Sequence, residues 1–205
     1  MQKPGVGIER TPVVRSRYLS EIARCDVFLK LENFQVTGSY KARGAFTMLS
    51  ELSDADLKRG VITASAGNHA QGVAFAAQKR GIASSTKIVM AKTASRQKVS
   101  RTAKYGVTIV EEGLTYDEAK AHAERLAREE GYVYVPAFDD WNVITGQGTV
   151  TKEILEQVPD TTCLIVPVGG GGLMAGAVIA MEGREKPPRL IGVEAAGAAP
   201  FKLSF

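Results

Sequence analysis

Six short apolar runs alternate with helix-patterned stretches along the chain, and that alternation leaves few architectures open. The runs are Val61–Ala64, Lys87–Met90, 107–110, 132–135, 164–168 and 190–193. They are nearly continuous and rich in Val and Ile, as strands covered on both faces should be. The stretch 116–130 reads most clearly as a helix. Thr115 and Glu118 form a capping box, Ala119, Ala123, Leu126 and Ala127 make an apolar stripe, and Gly131 is a natural stop. Ser39 has the same capping logic for a helix whose Ala42, Ala45, Phe46 and Leu49 face inward. Strands alternating with helices predict an α/β fold with a mostly parallel sheet.

The segment Thr37-Gly38-Ser39-Tyr40-Lys41 sets Lys41 just inside the start of that second helix. A helix N-terminus carries partial positive charge and disfavours an ammonium there. Arg43 adds a second positive charge nearby. Both effects are expected to lower the lysine pKa and raise its free-amine fraction. A free amine can form a Schiff base with a carbonyl. Alone, the pattern fits a first-turn surface lysine better.

Two small-residue turns change the balance. Ser65-Ala66-Gly67-Asn68-His69-Ala70-Gln71-Gly72 follows the apolar run Val61–Ala64 and opens a helix with Val73, Ala74 and Ala77 on one face. Such a junction leaves backbone N–H groups free for an anion such as a carboxylate. Val166-Pro167-Val168-Gly169-Gly170-Gly171-Gly172-Leu173 puts four glycines between a strand and a helix. Glycines permit close backbone approach to a ligand, and the following helix aims its N–H groups at a phosphate.

Together the three segments resemble the fold-type II pyridoxal-phosphate enzymes, and most of all their threonine dehydratase (threonine ammonia-lyase) branch. The resemblance begins at Arg10-Thr11-Pro12 and passes through Leu29-Lys30-Leu31-Glu32-Asn33 and Phe138-Asp139-Asp140. It continues through Gly146-Gln147-Gly148-Thr149 and Ile191-Gly192-Val193-Glu194. It implies two open, mostly parallel three-layer α/β units of the tryptophan synthase beta-like kind, with pyridoxal 5'-phosphate as cofactor. Lys41 would hold the cofactor, with Tyr40 standing where the family usually has Phe. Asn68 would bond the cofactor's phenolic oxygen. Ser65, Ala66, Gly67, Asn68 and His69 would take the substrate carboxylate, although a structural hydrogen bond suits His69 at least as well. Gly169, Gly170, Gly171, Gly172 and Leu173 would hold the phosphate. Racemases of this group usually carry a serine at the position of Ala66, as a second acid/base. Alanine moves no proton, so the resemblance points to β-elimination from L-threonine or L-serine, giving a 2-oxo acid and ammonia. The alternatives are a racemase, another enzyme on this scaffold, or an inactive cofactor-binding fragment.

Composition sets the remaining expectations. At 205 residues, 44% hydrophobic and 23% charged, the chain can bury a sizeable core. Its net charge of +4 is spread among mixed charges. The densest basic stretch, 96–104, has no interleaved aromatics, so it reads as a solvated helix face and not a nucleic-acid site. Cys25 and Cys163 lack metal or redox spacing, and Cys163 reads as a core thiol. His122 is expected to be exposed and idle, and Asp139-Asp140 to cap a helix. No metal, membrane or nucleic-acid partner is expected, and the default location is the cytoplasm.

The resemblance also implies a domain split. Residues 45–141 would form a smaller domain, and 1–44 with 142–205 part of a larger one. Relatives continue well past the position of Phe205, so the larger domain is expected to be incomplete here. A residue that bonds the pyridine nitrogen would lie in that further stretch. A half-built sheet exposes apolar surface. The chain is therefore expected to pair with such a segment or with a second copy of itself. Ala91 and Ser95 replace prolines usual in relatives, so that loop is expected to be less rigid.

Overall fold

A computed structural model describes residues 7–199 and residue 202. The extremes of the expected larger domain, 1–6, 200–201 and 203–205, lie outside that range. The elements in chain order are β1 (Val13–Arg15), α1 (Arg17–Ala23), β2 (Phe28–Lys30), α2 (Lys41–Glu51), α3 (Asp54–Arg59), β3 (Val61–Ala64), α4 (Asn68–Lys79) and β4 (Lys87–Met90). They continue with α5 (Arg96–Ala103), β5 (Thr108–Glu111), α6 (Tyr116–Glu130), β6 (Val133–Tyr134), α7 (Trp141–Gln157), β7 (Cys163–Pro167), α8 (Gly172–Met181) and β8 (Arg189–Val193).

The strands β5-β4-β3-β6 form a parallel four-stranded sheet in that order. Period-2 alternation divides its side chains between two cores. Val61, Ile88 and Met90 join Val73, Ala74 and Ala77 of α4 and Ala45 and Leu49 of α2 on one face. Ile62, Ala64 and Val89 meet Ala119 and Ala123 of α6 on the other. Burial on both faces is why these strands read as unbroken apolar runs. The remaining strands make an antiparallel pair, β1-β2, and a parallel pair, β7-β8.

The α6 signals hold, whereas α2 starts from a helical Tyr40 without a side-chain cap and Ser39 accepts only the Lys41 amide. Thr115 accepts from the Glu118 amide at 3.2 Å, and Glu118 reaches back to the Leu114 amide, so the box closes one residue earlier than the ideal. Gly131 ends α6 in the left-handed region, at φ 80°. Ser95, in the loop expected to be slack, caps α5 through the Lys98 amide. The basic residues of α5 are exposed, as a solvated face should be.

Cys163 corrects an expectation. It is exposed, not a core thiol. In β7 only Leu164 and Val166 are buried, against Leu155 of α7 and Met181 of α8. Cys163 and Ile165 point to the opposite face, which no element covers among the described residues. Ile165 is 71% exposed there.

Helix α7 lies between α2 and α8, and glycines set both contacts. A Cβ on Gly146 would lie 2.6 Å from the Gly44 Cα and 2.7 Å from the Arg43 carbonyl oxygen. A Cβ on Gly148 would lie 2.7 Å from the Gly176 carbonyl oxygen. Backbone on the far side cannot swing away, so these are true close approaches. We expect Gly146→Ala to cost about 1–3 kcal/mol, by forcing two packed helices apart. Each kcal/mol lowers the melting temperature by about 2–4 °C in a chain of this size. Gly169→Ala, whose Cβ meets nothing within 4 Å, should leave the melt unchanged. Thermal denaturation of both variants checks the contrast.

Candidate active site

Lys41 is the first residue of α2, as the sequence predicts. Its amide donates to the Ser39 hydroxyl at 3.3 Å. Its Nζ donates to the Ala137 carbonyl at 2.6 Å and lies 5.6 Å from the Tyr40 ring centroid. Burial pulls the amine below its ordinary pKa, and the same burial pushes the Tyr40 phenol up.

Arg43 does not contribute in the expected way. Its guanidinium turns away from the amine and is spent on two carboxylates, Glu32 at 2.8 Å and Glu153 at 2.7 Å. The cause of the Lys41 shift is therefore desolvation and not a neighbouring cation.

Across from the lysine, the 169–172 loop joins β7 to α8. Gly171 holds a left-handed φ of 83° that a side chain would strain. The amides of Gly169, Gly170 and Gly171 donate to no backbone carbonyl among the described residues. The first amides of α8 point the same way by helix geometry. The Phe138 ring packs where a Cβ on Gly170 would sit, and its carbonyl oxygen lies 2.8 Å from a Cβ position on Gly172. Tyr40, Lys41, Phe138, Pro167, Gly169, Gly170, Gly171, Gly172 and Leu173 line one cavity of about 180 Å³. A half-buried amine on one wall and backbone N–H groups without a backbone acceptor on the other suit a small aldehyde that carries a phosphate. The residues present thus fit pyridoxal phosphate.

The asparagine loop stands beside this cavity without lining it. Ser65 closes the turn by accepting the Gly67 amide at 3.1 Å, and Ala66 and Gly67 are half-buried. Asn68 begins α4 and is exposed. The first turns of α4 do reach the lysine, for a Cβ on Gly72 would meet the Lys41 carbonyl oxygen at 3.0 Å. His69 is buried and makes the structural bond, Nε2 to the Val135 carbonyl at 3.2 Å. A carbonyl only accepts, so Nε2 carries the proton and Nδ1 is bare. Nδ1 finds no partner among the described residues. Burial, and secondarily the Lys41 charge against the opposing Val135 bond, lower the imidazole pKa to about 4.

Other expectations are settled locally. Asp140 caps α7 through the Asn142 and Val143 amides, while Asp139 is exposed. His122 is half-buried where exposure was expected, and its Nδ1 is 3.1 Å from Arg125 Nη2 on the helix surface. Sequence reasoning missed Phe138 and Pro167 as cavity walls. It also missed the Ala137 carbonyl, because a backbone oxygen has no residue signature. Phe138 lay in plain view beside Asp139-Asp140 but was read only as part of the family resemblance.

Comparison with known proteins places these features. The family model for pyridoxal-phosphate dependent enzymes matches residues 6–205. The L-threonine ammonia-lyase of Thermotoga maritima is 44% identical over 187 residues, which cover 91% of this chain and 46% of that protein. The processed form of threonine deaminase isoform 2 from Solanum lycopersicum superposes with a TM-score of 0.92 at 42% identity, covering 97% of this chain and 54% of that one. Maize serine racemase superposes with a TM-score of 0.89 at 36% identity, covering 94% and 58%. The chain thus spans about half the length of the relatives it matches.

The His69 environment yields a pH prediction. Its folded pKa of about 4 lies below the ordinary 6.5, so the unfolded chain binds the proton first as pH falls. The contribution to stability is full above pH 6.5 and is lost progressively down to pH 4. The loss amounts to about 3 kcal/mol at most. Urea midpoints between pH 7 and 4.5 should fall less steeply in His69→Asn than in the wild type. Parallel curves would remove His69 as the cause.

Proposed function

The chain belongs to the pyridoxal-phosphate dependent enzyme family, and from that premise we propose that it serves β-elimination of a hydroxy amino acid. L-threonine would yield 2-oxobutanoate and ammonia, and L-serine pyruvate and ammonia. The observation that carries the reading is Lys41, a half-buried amine with a lowered pKa that lines one small cavity with the 169–172 loop.

Bound there, pyridoxal phosphate supplies an electron-withdrawing ring that takes up the negative charge left by loss of the substrate α-proton. The chain's own residues do the rest. Lys41 holds the cofactor and, once freed by substrate, accepts the α-proton at Nζ. Gly169, Gly170, Gly171, Gly172 and Leu173 bind the phosphate through backbone N–H groups at the α8 N-terminus. Asn68 bonds the phenolic oxygen. The Ser65, Ala66, Gly67 and His69 backbone, at the α4 N-terminus, binds the substrate carboxylate. Tyr40 and Phe138 exclude water from the lysine side. Ala66 offers no second proton donor, which favours elimination over the racemisation carried out by the maize neighbour.

In this reading residues 45–141 form the smaller domain, and the flanking segments belong to a larger one. The uncovered face of β7 and β8 favours assembly with a second copy or a further segment. The cysteines, Cys25 and Cys163, are free thiols, which suits a reducing compartment such as the cytoplasm.

Adding L-threonine to the cofactor-loaded chain should release ammonia and 2-oxobutanoate in equal amounts. Lys41→Ala should cut that release by about a thousandfold or more, with the fold intact by circular dichroism. D-amino acid formation without ammonia would replace this reading with the racemase. Retained ammonia release in Lys41→Ala would remove Lys41 from its role.

A further inference from the structure

Lys41 and the 169–172 loop line one cavity but are carried by two different helices, α2 and α8, each packed against α7. A single small molecule that bridges them needs their spacing fixed. The glycine contacts Gly44–Gly146 and Gly148–Gly176 set how close α2 and α8 come to α7, and the Gly44 amide donates to Gln147 Oε1 at a long 3.3 Å, but these contacts oppose rotation and sliding only weakly. Something directional must stop that motion.

Arg43 supplies it. Its side chain is 1% exposed, and every guanidinium nitrogen is engaged. Nε and Nη2 fork onto Glu32 at 2.8 Å each. Nη1 and Nη2 reach the two Glu153 oxygens at 2.7 and 2.9 Å, Nη1 also meets Thr149 at 3.0 Å, and Nη2 meets the Glu9 carbonyl at 3.1 Å. Glu153 also takes Lys30 Nζ, which donates in turn to the Thr11 carbonyl and Gln157 at 2.8 Å each. Two cations and two carboxylates balance, so the cluster is neutral. Buried pairs of this kind gain little net stability, because desolvation offsets attraction. Their planar, two-pronged geometry instead defines an orientation.

We infer that the buried Arg43–Glu153–Lys30 cluster positions Lys41: Glu153 on α7 grips the residue two places beyond the lysine and so sets the first turn of α2 against the loop that α7 supports through α8. Arg43, Glu153 and Lys30 are positioning residues and touch no reacting atom. The inference rests on the role proposed above for Lys41.

The test uses the double variant Lys30→Met with Glu153→Gln. It removes one charge of each sign and leaves Arg43 paired with Glu32. The control is Glu156→Gln, one turn along α7, which breaks only the exposed Arg10–Glu156 pair of 3.1 Å. Each protein is titrated with pyridoxal phosphate well below its melting temperature and reduced with borohydride. The mass of the Lys41 peptide then reports covalent attachment.

The double variant should need about tenfold or more cofactor for half-maximal attachment, because a misplaced amine loses its effective concentration. The control should match the wild type. A merely structural role would lower the melting temperature and leave half-saturation unmoved; that result overturns the inference. If the double variant does not fold, Arg43→Lys keeps the charge but gives up the fork, and carries the same expectation and the same refutation. Absence of attachment in the wild type would overturn the Lys41 reading itself and this inference with it, whereas attachment unchanged in a folded variant overturns the inference alone.

Discussion

Gly146 and Gly148 stand two residues apart on α7, and through them one helix touches two neighbours at backbone distance. Almost everything about the site follows from that constraint. α2 presents the lysine, and α8 is headed by the glycine loop. Each is referenced to the same central helix. A side chain at either glycine would widen one gap and leave the other, so the two walls of the cavity would no longer match one ligand. The close approach also sets how these helices pack at the two crossings. Its tightness comes from backbone meeting backbone and not from interlocked branches.

The two basic residues of the α2 first turn meet opposite fates for a common reason. Lys41 and Arg43 are two positions apart on a helix, so they face different ways. Lys41 enters an enclosed pocket with one carbonyl for company, and burial depresses its pKa. Arg43 is buried more deeply still, but beside two carboxylates, and keeps its charge. Burial alone does not decide protonation; the partners that share the burial do.

The sequence made the central sheet readable because strands covered on both faces must be apolar without interruption. Val61–Ala64 and Lys87–Met90 are found as read, and the other runs differ at their ends by a residue or two. The β1-β2 pair went unread, since its short strands are largely exposed and carry no such run. β7 was recognised as a strand, but its exposure was not, because burial depends on what lies opposite and not on the strand's own letters. At the site, Lys41 and the glycine loop were legible from local turn chemistry. The ion cluster was not. Arg43 meets Glu32 across 11 residues and Glu153 across 110, and no local pattern announces a pairing at such separations.

The Ala137 carbonyl settles a matter of direction. A lysine tail in water swivels freely about its methylenes. Here one N–H is given to a fixed oxygen 2.6 Å away, so the remaining valences of Nζ are aimed as well as located. An incoming aldehyde therefore meets the nitrogen lone pair along a narrow range of approach angles. The entropy of aiming is lost while the chain folds and not while the bond forms. The stretch that leads out of β6 to this oxygen also carries the Val135 carbonyl, which holds His69 and Thr63. The line of attack is thus tied to the edge strand of the four-stranded sheet.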